Sequence, residues 1–188
     1  MVDAAIDALR HEGLSGMSFT DIVADSGVAR GAIYHHFPGG KRQLALEAAE
    51  LNGQEVLHHL SALSGDSPRD VAEKFVEAIR PVVAESASGS GCAVAAVTVG
   101  SQGNDRELRA VANQAFTAWA SQLGSALTTA GMEQAPANSL ATLFVTVLEG
   151  AHVLCRAAES VEPFEASARS LLALVAEPPT NEPSQPKT

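Results

Sequence analysis

The sequence predicts an all-α protein, and three observations carry that prediction. Alanine and leucine recur throughout the 188 residues while aromatic residues make up only 4%, and such a composition favours helix over strand. Continuous runs of β-branched residues are nearly absent. Apolar residues instead recur at three- and four-residue spacings between Gly, Pro and Ser clusters, the pattern of amphipathic helices joined by turns. With 46% hydrophobic and 18% charged residues the chain is globular, long enough for one domain or for a small one beside a medium one.

Val2, Ala5, Ile6 and Leu9 form the first apolar stripe, and Gly13 after Glu12 marks its C-cap. Ser18 ahead of Phe19, Ile22 and Val23, with Asp21 three residues on, is a capping box with Asp in place of Glu; it starts a second helix that Gly27 ends. A third short helix runs from Ala29 to about His36 and stops at Phe37-Pro38-Gly39-Gly40. Lys41 opens a long helix through Leu44, Ala48 and Leu51 to about Leu60, and Ser64 to Pro68 is a turn and linker with Pro68 suited to a helical first turn. Val71, Phe75, Ile79 and Val82 give the next helix, and Ser86 to Gly91 is a loop. Cys92 to Val99 is apolar all round, which periodicity alone reads equally as strand or helix; its helical surroundings favour a buried helix. Long helices follow over Leu108 to Ala130 and Ala137 to about Glu159, the latter apolar on more than one face. Pro163 starts a last helix with Ala168, Leu171, Leu172 and Val175, and the Pro-rich polar residues 178–188 read as a disordered tail.

No apolar stretch reaches membrane-spanning length before Glu, Gln, Thr or Gly interrupts it, and no basic-then-apolar leader opens the sequence. Cys92 and Cys155 are too few for a disulfide framework. The expectation is a cytoplasmic protein without a membrane partner. Its net charge of −10 speaks against bulk attraction to nucleic acid. Residues 1–50 alone carry only Arg10, Arg30, Lys41 and Arg42 as cations, against seven acidic side chains. Any DNA contact must therefore come from where the few cations sit.

Residues 18–37 are the most specific stretch. Two short helices flank a Gly27-centred turn, with Ile22, Val23, Val28 and Ile33 as inward faces. That is the pattern of a helix-turn-helix, whose second helix enters the major groove. Gly31 and Ala32 have almost no side chain, so backbone can approach the duplex. Arg30 can reach a guanine edge or a phosphate, Tyr34 can offer its hydroxyl to phosphate, and Lys41 adds a cation at the start of the next helix. Enzyme motifs are missing. Gly40-Lys41 is followed by Arg42 rather than Ser or Thr, and Gly89-Ser90-Gly91 lacks a third Gly at dinucleotide spacing.

Through these residues the chain resembles the tetracycline-repressor (TetR) family of bacterial regulators. Tyr34-His35-His36-Phe37-Pro38 followed by Gly39-Gly40-Lys41, together with the segment Gly91 to Ala96, resembles the LmrA/YxaF-like repressors within it. The likeness is strongest over residues 2–51. Carried over by position, it implies DNA contacts at Ser18, Thr20, Arg30, Gly31, Ala32, Tyr34, His35 and Lys41. It further implies homodimerisation through the last two long helices and an effector pocket in the larger domain. Family members usually carry a basic stretch before the first helix, whereas this sequence opens on Met1-Val2-Asp3. The expectation is that this arm is absent or that the sequence starts downstream of it.

The resulting organisation is a DNA-binding domain over 1–45, a ligand-binding and dimerisation domain over 46–177, and the tail. The function expected is that of a repressor releasing a palindromic operator when a small hydrophobic or aromatic molecule binds. A helical small-molecule carrier or enzyme with a vestigial DNA domain is the alternative, and an activator or protein-binding scaffold a third reading. Phe75, Cys92, Phe116, Trp119, Phe144, Leu148 and His152 are the expected pocket residues, with Gln122 as a second polar candidate; core packing would use the same residue types. His58-His59 point about 100° apart on a helix, and His152 with Cys155 supplies only two ligands, so neither pair predicts a metal. No cofactor is expected. Leu140, Leu143, Phe144, Val147, Leu148, Leu171, Leu172 and Val175 exceed what one core can bury, which predicts a homodimer.

Overall fold

The computed structural model describes residues 1–25, 35–100 and 105–175, and among them every regular element is a helix. Helix α1 (Val2–Gly16) buries Ala5, Ile6 and Leu9. It breaks at Gly13, whose φ of 70° suits a residue without Cβ, and one more turn follows where the sequence places the end. Helix α2 (Phe19–Asp25) starts as the capping box requires: Asp21 N donates to Ser18 Oγ at 3.3 Å. The expected Gly27 turn and most of the third helix (Ala29 to Tyr34) lie outside the described residues; His35 and His36 are helical. The long helix α3 (Gly40–Ser61) begins right after the Pro38-Gly39 turn.

Helix α4 (Pro68–Ala87) is capped by Ser67, whose hydroxyl accepts from Asp70 N at 3.2 Å, with Pro68 in the first turn. Ala93–Val99 is helix α5, and Cys92 is its N-cap, its sulfur accepting from Ala95 N at 3.4 Å. Asp105 caps α6 (Arg106–Thr129). Helix α7 (Gln134–Ala158) ends where Glu159 turns left-handed, and α8 (Glu162–Ala173) carries Pro163 in its first turn.

Helix α7 is the centre of the larger bundle: α4, α6 and α8 pack on it, while α3 packs on α6 and α5, and α1 on α3 and α5. The rings of Phe75 and Phe144 stack at 4.7 Å in the middle, with Leu123, Leu127 and Phe164 fully buried around them. Being apolar on several faces, α7 is long and apolar enough by composition to cross a membrane, contrary to the sequence expectation. The reason is its place: a helix packed on three sides needs apolar residues around most of its circumference. Packing also decides which apolar residues stay outside. Phe144, Leu148, Leu171 and Val175, expected at a subunit contact, are buried within one chain, and Leu140, Val147 and Leu172 are partly covered. Leu143 is joined on the surface by Val153, Leu154 and Leu174, which are 54–67% exposed.

Candidate functional site: an internal cavity beside the N-terminal helices

The N-terminal helices present a small polar surface. Thr20 is exposed on α2, whose other side buries Ile22 and Val23. Ser18 is committed to capping, so its hydroxyl already accepts one backbone bond. His35 is exposed, its ring 5.9 Å from that of His36. Lys41 Nζ donates to Ser15 O at 3.2 Å, closing the start of α3 onto the last turn of α1; its ammonium retains two further protons to donate. Arg30, Gly31, Ala32 and Tyr34 lie outside the described residues.

A cavity of about 340 Å³ opens among the helices of the larger bundle, within the size range of small-molecule pockets. Val56 and Leu60 of α3, Ile79 and Val82 of α4, Trp119 of α6 and Leu148 of α7 make its apolar wall. Its polar groups are Arg10 of α1, Asn52, Glu55 and His59 of α3, Cys92 at the start of α5, and Glu149 and His152 of α7. Trp119 is held in place by its indole N–H, which donates to Gly53 O at 2.9 Å, and by Phe116 packed edge-on at 5.2 Å.

Of the residues expected at a pocket, Cys92, Trp119, Leu148 and His152 line this cavity. Phe75 and Phe144 do not: their stacked rings face each other in the solid core. Phe116 lines a second, more open groove between α6 and α7, and Glu149 borders both spaces. Gln122 is not on the cavity wall. The correction has one cause. Periodicity places a residue on an inward face but does not distinguish an inward face that meets another side chain from one that meets a void.

Three of the polar groups are strongly displaced in their titration. Glu149 has both carboxylate oxygens buried without a hydrogen-bond partner. Desolvation pushes its pKa up to about 7, and the adjacent Cys92 thiol, a weak donor, only partly offsets this. Burial in turn raises the Cys92 thiol well above its ordinary value, and the Glu149 charge adds to it. His152 is lowered to about 4, by desolvation first and by the Arg10 charge second. Its Nδ1 is 2.7 Å from Ser86 Oγ, and since the one hydroxyl proton goes to Val82 O at 3.3 Å, Nδ1–H is the donor of this bond. Among the described residues no group of three or more His, Cys, Asp and Glu side chains gathers as a metal site.

Sequence reasoning missed Glu149 and Arg10. The signal for Glu149 was present: it is the one acidic residue from Gln134 to Ala158. Arg10 had none, because its place depends on how α1 docks. It bridges from α1 to the Gly91 carbonyl at 3.4 Å and to Glu85 at 3.6 Å. Two more arginines tie the same halves together. Arg156 donates to His11 O at 2.9 Å, and Arg42 in the first turn of α3 clasps Asp105 at 2.9 and 3.1 Å and Glu107 at 2.7 Å at the start of α6. Gly100 admits the closest approach: a Cβ there would lie 2.6 Å from Leu14 Cβ.

Comparison with known proteins matches two segments of the chain. Residues 1–48 match the family of bacterial regulatory proteins described as the tetR family, and residues 68–170 match the description "Transcriptional regulator LmrA/YxaF-like, C-terminal domain". The HTH-type transcriptional regulator LmrA of Bacillus subtilis is 25% identical over 87% of this chain and 88% of its own. The HTH-type transcriptional regulator YxaF of the same organism is 30% identical over 76% of each chain. A crystal structure of a regulatory protein TetR from Rhodobacter sphaeroides shares the fold, with a TM-score of 0.81, 18% identity and coverage of 93% and 96%.

Proposed function

The chain belongs to the TetR family of transcriptional regulators, with an LmrA/YxaF-like C-terminal domain, and from that premise we propose that it is a cytoplasmic, ligand-gated repressor. In this reading residues 1–45 bind a palindromic operator and residues 46–177 bind the effector and dimerise. Two recognition helices then sit about one duplex turn, roughly 34 Å, apart. Ser18, Thr20, Arg30, Gly31, Ala32, Tyr34, His35 and Lys41 form the DNA-facing set.

One observation carries the gating: Arg10 is the residue of the N-terminal helices that lines the cavity. An occupant of the cavity meets the same side chain that fastens α1 to the larger bundle through Gly91 and Glu85. A ligand that fits only when Arg10 is displaced favours the detached orientation of α1. It releases DNA to the extent of its differential affinity for the two states. The residues expected to read DNA are tested on a duplex selected from a random pool. Arg30→Ala is expected to lower affinity for the selected site by about 1–3 kcal/mol. Lys41→Ala is expected to weaken all duplexes alike and to flatten the salt dependence by about one counterion. Failure to select any duplex, or unchanged binding in both folded variants, refutes the reading.

A further inference from the structure

An apolar cavity usually holds its few polar groups in mutual hydrogen bonds until a ligand replaces them. Here one group is fully buried without a partner. His152 Nδ1 is bonded to Ser86, the Trp119 indole to Gly53 O, and the Arg10 guanidinium rests on Gly91 O and Glu85. Glu149 has neither oxygen bonded, although both are buried. It sits beside Cys92 on the wall of the cavity that Trp119 also lines. The buried group of the cavity that lacks a hydrogen-bond partner is therefore an acceptor.

We propose that the cavity takes a lipophilic ligand bearing a protonated amine, which donates to the Glu149 carboxylate while its apolar body packs on Trp119 and Leu148. This rests on the reading of the cavity as an effector site and adds the chemistry of the effector. A cation restores to Glu149 the partner that folding removes, and charge-assisted bonds of this kind are the strong ones. Trp119, on the wall of the same cavity, gives the apolar body of the ligand an aromatic surface to pack on. An anionic ligand would be drawn to Arg10, whose guanidinium keeps N–H donors beyond the one bonded to Gly91 O, but would meet Glu149 as a like charge.

The carboxylate must be ionised to act, so binding is pH-dependent in a defined sense. Glu149 loses its proton around pH 7, and an alkylamine keeps its own to about pH 10. Amine affinity then rises from pH 6 to pH 8, by up to about tenfold. The other titratable and charged groups facing the site are Cys92, His152 and Arg10, with Glu55 and His59 on the exposed rim of α3. The Cys92 thiol, raised well above its ordinary value, and His152, lowered to about 4, keep one protonation state between pH 6 and 8. His59 is controlled by His59→Gln.

The test uses three probes of one shape, 4-phenylbutylamine, 4-phenylbutanol and 4-phenylbutyrate, with Trp119 fluorescence and thermal shift of the full-length protein as readouts. The amine is expected to bind at least about tenfold tighter than the alcohol at pH 8. That preference should fall toward pH 6, persist in His59→Gln and vanish in Glu149→Gln, with the butyrate weakest. Equal or tighter binding of the alcohol or the butyrate overturns the proposal in the unmodified protein, whether or not the variant folds. So does a preference that survives in folded Glu149→Gln, or the absence of binding by all three probes. An amine that binds with this preference yet leaves the protein on its selected duplex upholds the ligand class and refutes the gating, whereas duplex release by other compounds only does the reverse.

Discussion

Glu149→Gln changes the acid–base behaviour of the fold in a way that can be worked out beforehand. The carboxyl titrates near 4.5 in the unfolded chain and near 7 when folded. Between those values the native state holds a proton that the unfolded state lacks, so stability falls as pH rises. At about 1.4 kcal/mol per pH unit the full loss is about 3 kcal/mol by pH 7. His152 works in the opposite direction. It titrates near 6.5 unfolded and near 4 folded, so the unfolded state holds the extra proton and stability rises by a similar amount, about 3 kcal/mol, over that window. The two slopes overlap between pH 4.5 and 6.5 and nearly cancel, leaving the native protein almost flat there and declining just above it. In Glu149→Gln the His152 slope stands alone. The gain of the variant over the native protein is then close to zero at pH 4.5 and grows to about 3 kcal/mol by pH 7.5. The carboxylates held below their ordinary range by Lys74, Arg42 and Arg80, namely Asp70, Asp105 and Glu165, act only below this window. Urea unfolding at fixed protein concentration from pH 4.5 to 7.5 measures the difference. A pH-independent difference between variant and native protein would show that Glu149 is not desolvated as described, and would remove the main support for its role in ligand selection.

Two further outcomes are expected from the packing. Leu154→Glu places a charge on the exposed apolar strip of α7 and is expected to turn a dimer into a monomer with its helical content unchanged; sedimentation at micromolar concentration giving the same mass as the native protein would exclude this strip as the interface. Gly100→Ala puts a methyl group 2.6 Å from Leu14 Cβ and 3.0 Å from Ala96 O, and is expected to cost about 1–3 kcal/mol as overpacking. An unchanged thermal midpoint would show that α1 does not press on the end of α5 as closely as the structure has it.

What could be read from the sequence was governed by neighbours along the chain. Ser18 ahead of Asp21 and Pro68 after the Ser64–Ser67 turn each act within one helical turn, so residue type suffices to place these helix starts; Gly13, in the left-handed region, marks the break in α1 but not its end. The helix-turn-helix character of residues 18–37 was likewise legible, because its spacing is a property of one continuous segment. Even the short apolar run from Cys92 to Val99, ambiguous by period, was read as helical from its surroundings.

The tertiary structure decided the rest, since voids, unpaired groups and exposed strips are made by several helices at once. Phe75 and Phe144 have the chemistry of pocket walls, yet α4 and α7 bring them ring to ring and no space is left between them. Leu148 and Leu154 are alike in sequence, but one faces the cavity and the other solvent, because α4, α6 and α8 occupy three sides of α7 and leave the fourth open. Glu149 could be seen in the sequence as a lone acid in an apolar helix. Only the assembled bundle shows that nothing in it donates a strong hydrogen bond to that carboxylate, which is why the most chemically specific group of the cavity is also the one that helical periodicity could not interpret.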